Sequence, residues 1–103
     1  SIPSYVDYYV LRTRLSSASN AEIMQFLKKY EGSAIADRLR NDWLLILGFR
    51  GDWTNFDQQL PLYVVNDDSQ VKCYALLSKA LNCIAAFTFC VEHRLIRACD
   101  EFA

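Results

Sequence analysis

Glycine and proline are scarce in this chain, at three and two residues of 103. So few turn-formers leave little room for long irregular loops and exclude an all-β chain built on many tight turns. A basic excess is also missing. Eleven Lys and Arg against twelve Asp and Glu give a formal net charge of −1, whereas a protein that grips nucleic acid through its phosphates needs the opposite balance. No nucleic-acid partner is expected. Long apolar runs are absent too. The longest, Trp43 to Phe49, is broken by Gly48 and followed by Arg50, and a bilayer-crossing helix takes roughly 18–20 apolar residues. No transmembrane segment is expected. The chain opens on Ser1 without an initiator Met or a signal peptide, as in the mature form of an exported protein or a segment of a longer one.

There is ample material for a core. Hydrophobic residues make up 52% and aromatics 14% of the chain, enough for one packed domain or part of one, taken here as residues 1–103. The apolar period stays close to 3.6, with breaks every ten to fifteen residues, which predicts an all-α chain. Pro3 suits the first turn of a helix through Leu15, with Tyr5, Tyr8, Leu11 and Leu15 along one side. Ser19 and Glu22 form a capping box for a second helix, whose stripe is Ile23, Phe26, Leu27 and Tyr30,. Gly32 ends it and Ser33 caps a third. In that helix Ala36, Leu39, Trp43, Ile46 and Leu47 face inward, Asp37, Arg38, Arg40 and Asp42 face water, and Gly48 and Gly51 bracket the end. Asp52 caps a short fourth helix with Trp53 and Phe56, terminated by Pro61. Tyr63, Val64 and Val65 have strand character but no partner strand. Asp67 with Gln70 caps a fifth helix bearing Val71, Tyr74, Leu77 and Leu81, with Asn82 as its C-cap. The sixth, from Ile84 to Arg97, has Phe87, Val91 and Leu95 in register. About six helices joined by short turns pack as antiparallel hairpins, either as a bundle or stacked as an α-superhelix or solenoid segment. No exact repeat period is visible, and the tetratricopeptide and ankyrin signatures are missing,. The expected core is Leu39, Trp43, Leu47, Trp53, Phe56 and Tyr74.

One block is distinctive. It runs from Phe26, Leu27 and Tyr30 through Ser33, Ala36, Arg38, Leu39, Arg40, Trp43 and Leu44 to Leu47, Arg50, Asp52 and Trp53. Upstream lie Pro3, Tyr5, Tyr8, Leu11, Arg14 and Leu15; downstream lie Cys73-Tyr74 and Ala98-Cys99-Asp100 with Phe102. Together this ordered set resembles the superhelical U-shaped domain of the soluble lytic transglycosylases. Ala34 stands where that family commonly has Pro, and Glu92 and Ile96 stand where a Gly and a Pro usually occur. The resemblance implies an α-superhelical segment of a periplasmic enzyme that cleaves peptidoglycan glycan strands, leaving a 1,6-anhydromuramoyl end. Its partners would be those strands and the rest of the parent polypeptide. The family's catalytic acid is a Glu within a Glu-Ser motif in a separate lysozyme-like domain. Glu22, Glu31, Glu92 and Glu101 are none of them followed by Ser, so this segment is expected to be a non-catalytic wall without a cofactor.

The four cysteines, Cys73, Cys83, Cys90 and Cys99, match no CxxC pair or zinc ribbon. The resemblance places cysteines at Cys73 and Cys99, and an antiparallel hairpin brings the start of the fifth helix to the end of the sixth. A disulfide between them is expected, with Cys83 and Cys90 left as thiols. Cys83 and Cys90 cannot bond each other on one helix, where seven residues rise about 10 Å. Cys90 and His93 share a helix face, but a lone pair of this kind is ordinarily structural. Trp43, Trp53, Tyr74 and Phe87 are sugar-stacking candidates whose helical positions favour the core instead, while Tyr5, Tyr8 and Tyr9 cannot all face inward. Arg12, Arg14, Arg38, Arg40 and Arg50 alternate with acids and read as a solvated face. The second reading of the whole chain is a free-standing helical-repeat adaptor for protein partners.

Overall fold

The computed structural model describes residues 3–83 and 89–103, and the side chains of all of these except 82, 83 and 89–91. The described residues form six α-helices and two short 3-10 turns, with no strand among them. Pro3 precedes α1 (Ser4–Thr13) and tolerates the position because its missing N–H has no helical partner there,. Ser19 Oγ accepts from the Glu22 N–H at the start of α2 (Asn20–Lys29), and Ser33 Oγ accepts from the Ala36 N–H at the start of α3 (Ala34–Arg50). Gly32 and Gly51 take positive φ at the turns that close α2 and α3, a conformation that costs other residues a Cβ clash. Asp52 caps α4 (Trp53–Gln59), which runs into a 3-10 turn at Pro61. α5 spans Ser69–Cys83 and α6 Phe89–Cys99.

The contacts give the helix directions. Asp7 of α1 meets Lys29 and Tyr30 at the end of α2, while Arg14 meets Glu22 at its start, so α1 and α2 are antiparallel. Tyr8 donates to Asp42 and Arg50 donates to the Ser16 carbonyl, both across 34 residues, so α1 and α3 run parallel. Gln59 of α4 reaches Met24 of α2 across 35 residues. Residues 34 or 35 positions apart thus meet in these three contacts, although the sequence shows no such period. The stack is 50 × 25 × 23 Å. α3 sits at its centre and touches α1, α2, α4 and α5, whereas α6 packs chiefly on α5.

Leu39, Trp43, Leu47, Phe56 and Tyr74 are buried, with Trp43 only 2% exposed. Trp53 is half-buried at the edge of this core, because its indole N–H turns outward to Glu92 at 2.8 Å. Gly48 lies within α3 rather than at its end. The Tyr74 ring lies against it so closely that a Cβ would overlap ring atoms, and this close approach seats α5 on α3.

Several expected roles move. Asp37 is buried, not solvated, and accepts from the Val64 and Val65 N–H groups at 2.8 and 3.0 Å. That carboxylate holds the segment with strand character as a bend. Asp68, not Asp67, caps α5, accepting from Gln70 and Val71 N–H at 2.9 and 3.1 Å. The Glu22 carboxylate is taken by Arg14 instead of completing a capping box. Arg40 and Asp42 are half-buried. α5 continues through Asn82 to Cys83. Among the described side chains of α6 the inward residues are Ile96 (6% exposed) and Cys99, while Leu95 is 38% exposed. α6 ends two residues past Arg97, at Cys99. Ile84 and Phe87 lie outside the described residues.

Candidate functional site

The four glutamates are dispersed. Glu31 and Glu101 are exposed, Glu22 is paired with Arg14, and Glu92 accepts from Trp53. Among the described residues no group of three or more His, Cys, Asp or Glu is placed to hold a metal ion. His93 is exposed, and the side chains of Cys83 and Cys90 lie outside the description. No described helix is long and apolar enough to cross a membrane.

Cys73 and Cys99 are joined in a disulfide, with their Cα atoms 5.5 Å apart. The bond ties the first turns of α5 to the last turn of α6. Beside it, Tyr74 and Gln70 reach Asp100 at 3.4 Å, so the Cys-aromatic and Cys-Asp pairs named in the sequence meet across one hairpin. Burial and the Asp100 charge raise the Tyr74 pKa.

The sugar-stacking candidates divide in the same way. Trp43 and Tyr74 are buried in the core, and Trp53 is half-buried with its N–H occupied. Of the three crowded tyrosines, Tyr8 is buried and Tyr5 and Tyr9 are exposed. With Val6 and Val10 they make an apolar strip on the outer side of α1. Burial, reinforced by Asp42, raises the Tyr8 pKa.

The arginines separate by their partners. Arg12 faces Asp42 at 3.8 Å, Arg14 pairs with Glu22, Arg38 lies beside the Tyr8 hydroxyl, and Arg50 holds the Ser16 carbonyl. Arg40 differs. Its Nε donates to Gln59 Oε1 and its Nη1 to the Leu62 carbonyl, both at 3.1 Å, and both acceptors are neutral. No carboxylate lies within ion-pair distance of it among the described residues. Burial lowers its pKa, and Asp37 and Glu31 offset this only in part. Arg40 lines two adjoining grooves. One, of about 190 Å³, is bounded by Gly32, Asp37, Val64 and Val65; the other, of about 450 Å³, lies between Met24, Lys28, Glu31 and Leu62. Sequence reasoning missed both Asp37 and Arg40 as shaped sites, because their helical phase next to Leu39 reads as a solvated face and the chain that covers them arrives from 22 to 28 residues away.

No family model, no curated protein and no solved structure matches this chain.

Proposed function

We propose that this chain is a non-catalytic scaffold segment of a periplasmic soluble lytic transglycosylase, one wall of the helical array that holds a peptidoglycan strand beside a separate catalytic domain. The observation that carries the reading is a coincidence of residues. Those that give the sequence its resemblance to the family are also those that hold the stack together. Tyr8 binds Asp42 across α1 and α3, Ser33 and Asp52 cap α3 and α4, Leu39 and Trp43 fill the centre, and Cys73 is bonded to Cys99. A motif kept for catalysis would instead converge on one cleft, and these residues spread along the array.

Reading the gene on both sides of this segment tests the proposal. It requires a lysozyme-like domain with a Glu-Ser motif downstream and a signal peptide upstream. The chain itself is expected to release no anhydromuropeptide from purified peptidoglycan, as followed by mass spectrometry. A gene without the lysozyme-like domain sinks the reading. It would then favour a helical-repeat adaptor, for which the apolar strip of Tyr5, Val6, Tyr9 and Val10 supplies a surface.

A further inference from the structure

A half-buried guanidinium ordinarily has a carboxylate beside it, because removing a charge from water is costly unless an opposite charge compensates. Arg40 is the one half-buried arginine of α3, Arg38 and Arg50 being exposed, and no carboxylate lies within ion-pair distance of it among the described residues. Two of its nitrogens are spent on neutral acceptors, and Nη2 has no hydrogen-bond partner among the described residues. The two accepting groups also fix the guanidinium plane, since Gln59 is itself buried and Leu62 closes the 3-10 turn after α4. The cation is therefore oriented before any ligand arrives, which lowers the ordering cost of binding.

The surface around it is mixed in a specific way. Met24 and Leu62 are exposed apolar side chains on either side of the larger groove, 47% and 52% accessible. Lys28 adds a second cation and Glu31 a single anion. A ligand that fits carries carboxylates for Arg40 and Lys28, small apolar groups for Met24 and Leu62, and an ammonium for Glu31. Uncharged sugar rings supply none of these charges. Nucleic acid supplies the negative charge without the small apolar groups or the ammonium.

We infer that the groove beside Arg40 is a docking site for the peptide stem of a peptidoglycan strand, with a stem carboxylate on Arg40 Nη2 and alanine methyls over Met24 and Leu62; this rests on the scaffold reading above. A peptide stem combines free carboxylates, alanine methyls and, in many cell walls, a free amino group on one short chain. The groove of about 450 Å³ accommodates a few residues of such a chain, and glycan would then run past the segment without needing an aromatic platform.

The test is a calorimetric or NMR titration of the chain with three probes: a disaccharide-tetrapeptide muropeptide, the free tetrapeptide, and an N-acetylglucosamine tetramer. The first two are expected to bind saturably and the third not at all. Arg40→Gln should weaken binding about tenfold or more, as for loss of a charge-assisted hydrogen bond. Since Arg40 also ties Gln59 to Leu62, a second variant, Lys28→Glu, leaves that tie alone and places a like charge in the groove; it too should weaken stem binding, with an unchanged helical spectrum. No saturable binding of either stem compound, equal binding of the stemless tetramer, or unaltered binding by both variants overturns the inference. Binding of the tetramer alone would leave the scaffold reading standing, and stem binding by a chain whose gene lacks a lysozyme-like domain would do the reverse.

Discussion

The two ends of the stack are held in different ways. α3 is surrounded: Leu39, Trp43, Leu44 and Leu47 are buried against four neighbouring helices, so its place is over-determined by apolar contact. α6 has one main neighbour, and its described inward residues are Ile96 and Cys99, with Glu92 clasping Trp53. Where burial is one-sided and small, a covalent bond at Cys73–Cys99 takes the place of the second packed face that α3 has. Burial of apolar area is the dominant stabilising contribution in either case, and the disulfide acts by limiting what the unfolded chain can do rather than by adding contacts. The lesson is that one fold can be firm at its centre by packing and firm at its edge only by cross-linking.

Emptying the centre should have the largest effect. Trp43→Ala is expected to cost about 3–5 kcal/mol in a denaturant titration, the usual loss for a large buried aromatic. A value within about 0.5 kcal/mol of the parent would show that α3 is not the packed centre and would restore Trp43 as a sugar platform. Next, Cys99→Ser in fully oxidised protein should remove roughly 3–4 kcal/mol, the chain-entropy expectation for a loop of this length. The loss should be local, with amide exchange accelerating in α6 far more than in α3. Equal acceleration in both would erase the contrast between them. Peptide mapping of oxidised material should find one cross-link, between the Cys73 and Cys99 peptides; four free thiols would refute it.

A smaller effect is expected at the loop over α3. Asp37→Ala removes the acceptor of the Val64 and Val65 N–H groups and should cost about 1–3 kcal/mol, with increased protease sensitivity at 63–66. The smallest is a pH effect at the same place. Tyr63 donates to Asn41 and lies 3.3 Å from an Asp67 carboxylate oxygen, and burial first, then the Asp67 charge, pushes its pKa from 10.0 up to about 12. Because the folded pKa is raised, this contribution is complete below about pH 10 and is lost as pH rises toward 12. Tyr63→Phe should flatten that part of the stability profile. An unchanged profile would mean that the hydroxyl does not govern it.

The starts of α2, α3 and α4 were legible because each begins with a local device. Ser19, Ser33 and Asp52 cap the helices that follow them in the structure, and Gly32 and Gly51 take the left-handed turns. The misplacements came where two neighbours compete for one role. Asp67 and Asp68 are equivalent candidates for a cap until Tyr63 folds back toward Asp67 and leaves the N–H groups of α5 to Asp68. Glu22 likewise had two possible partners, and Arg14, on the preceding helix, won it. In α6 the apolar phase was set on Leu95, but the described residues that turn inward are Ile96 and Cys99, the latter bonded to Cys73.

The amino-acid sequence alone determined that this chain is all-α, where α2, α3 and α4 begin, and which five large side chains, Leu39, Trp43, Leu47, Phe56 and Tyr74, fill the core, because caps and a 3.6-residue period act over a single turn,. The tertiary structure decided the rest: the 34-residue separation of the contacts between α1 and α3, the close seat of Tyr74 on Gly48, the burial of Asp37 and the edge of Arg40 that has no partner among the described residues. Those depend on chain segments that are distant in sequence, and no local pattern encodes which distant segment will arrive.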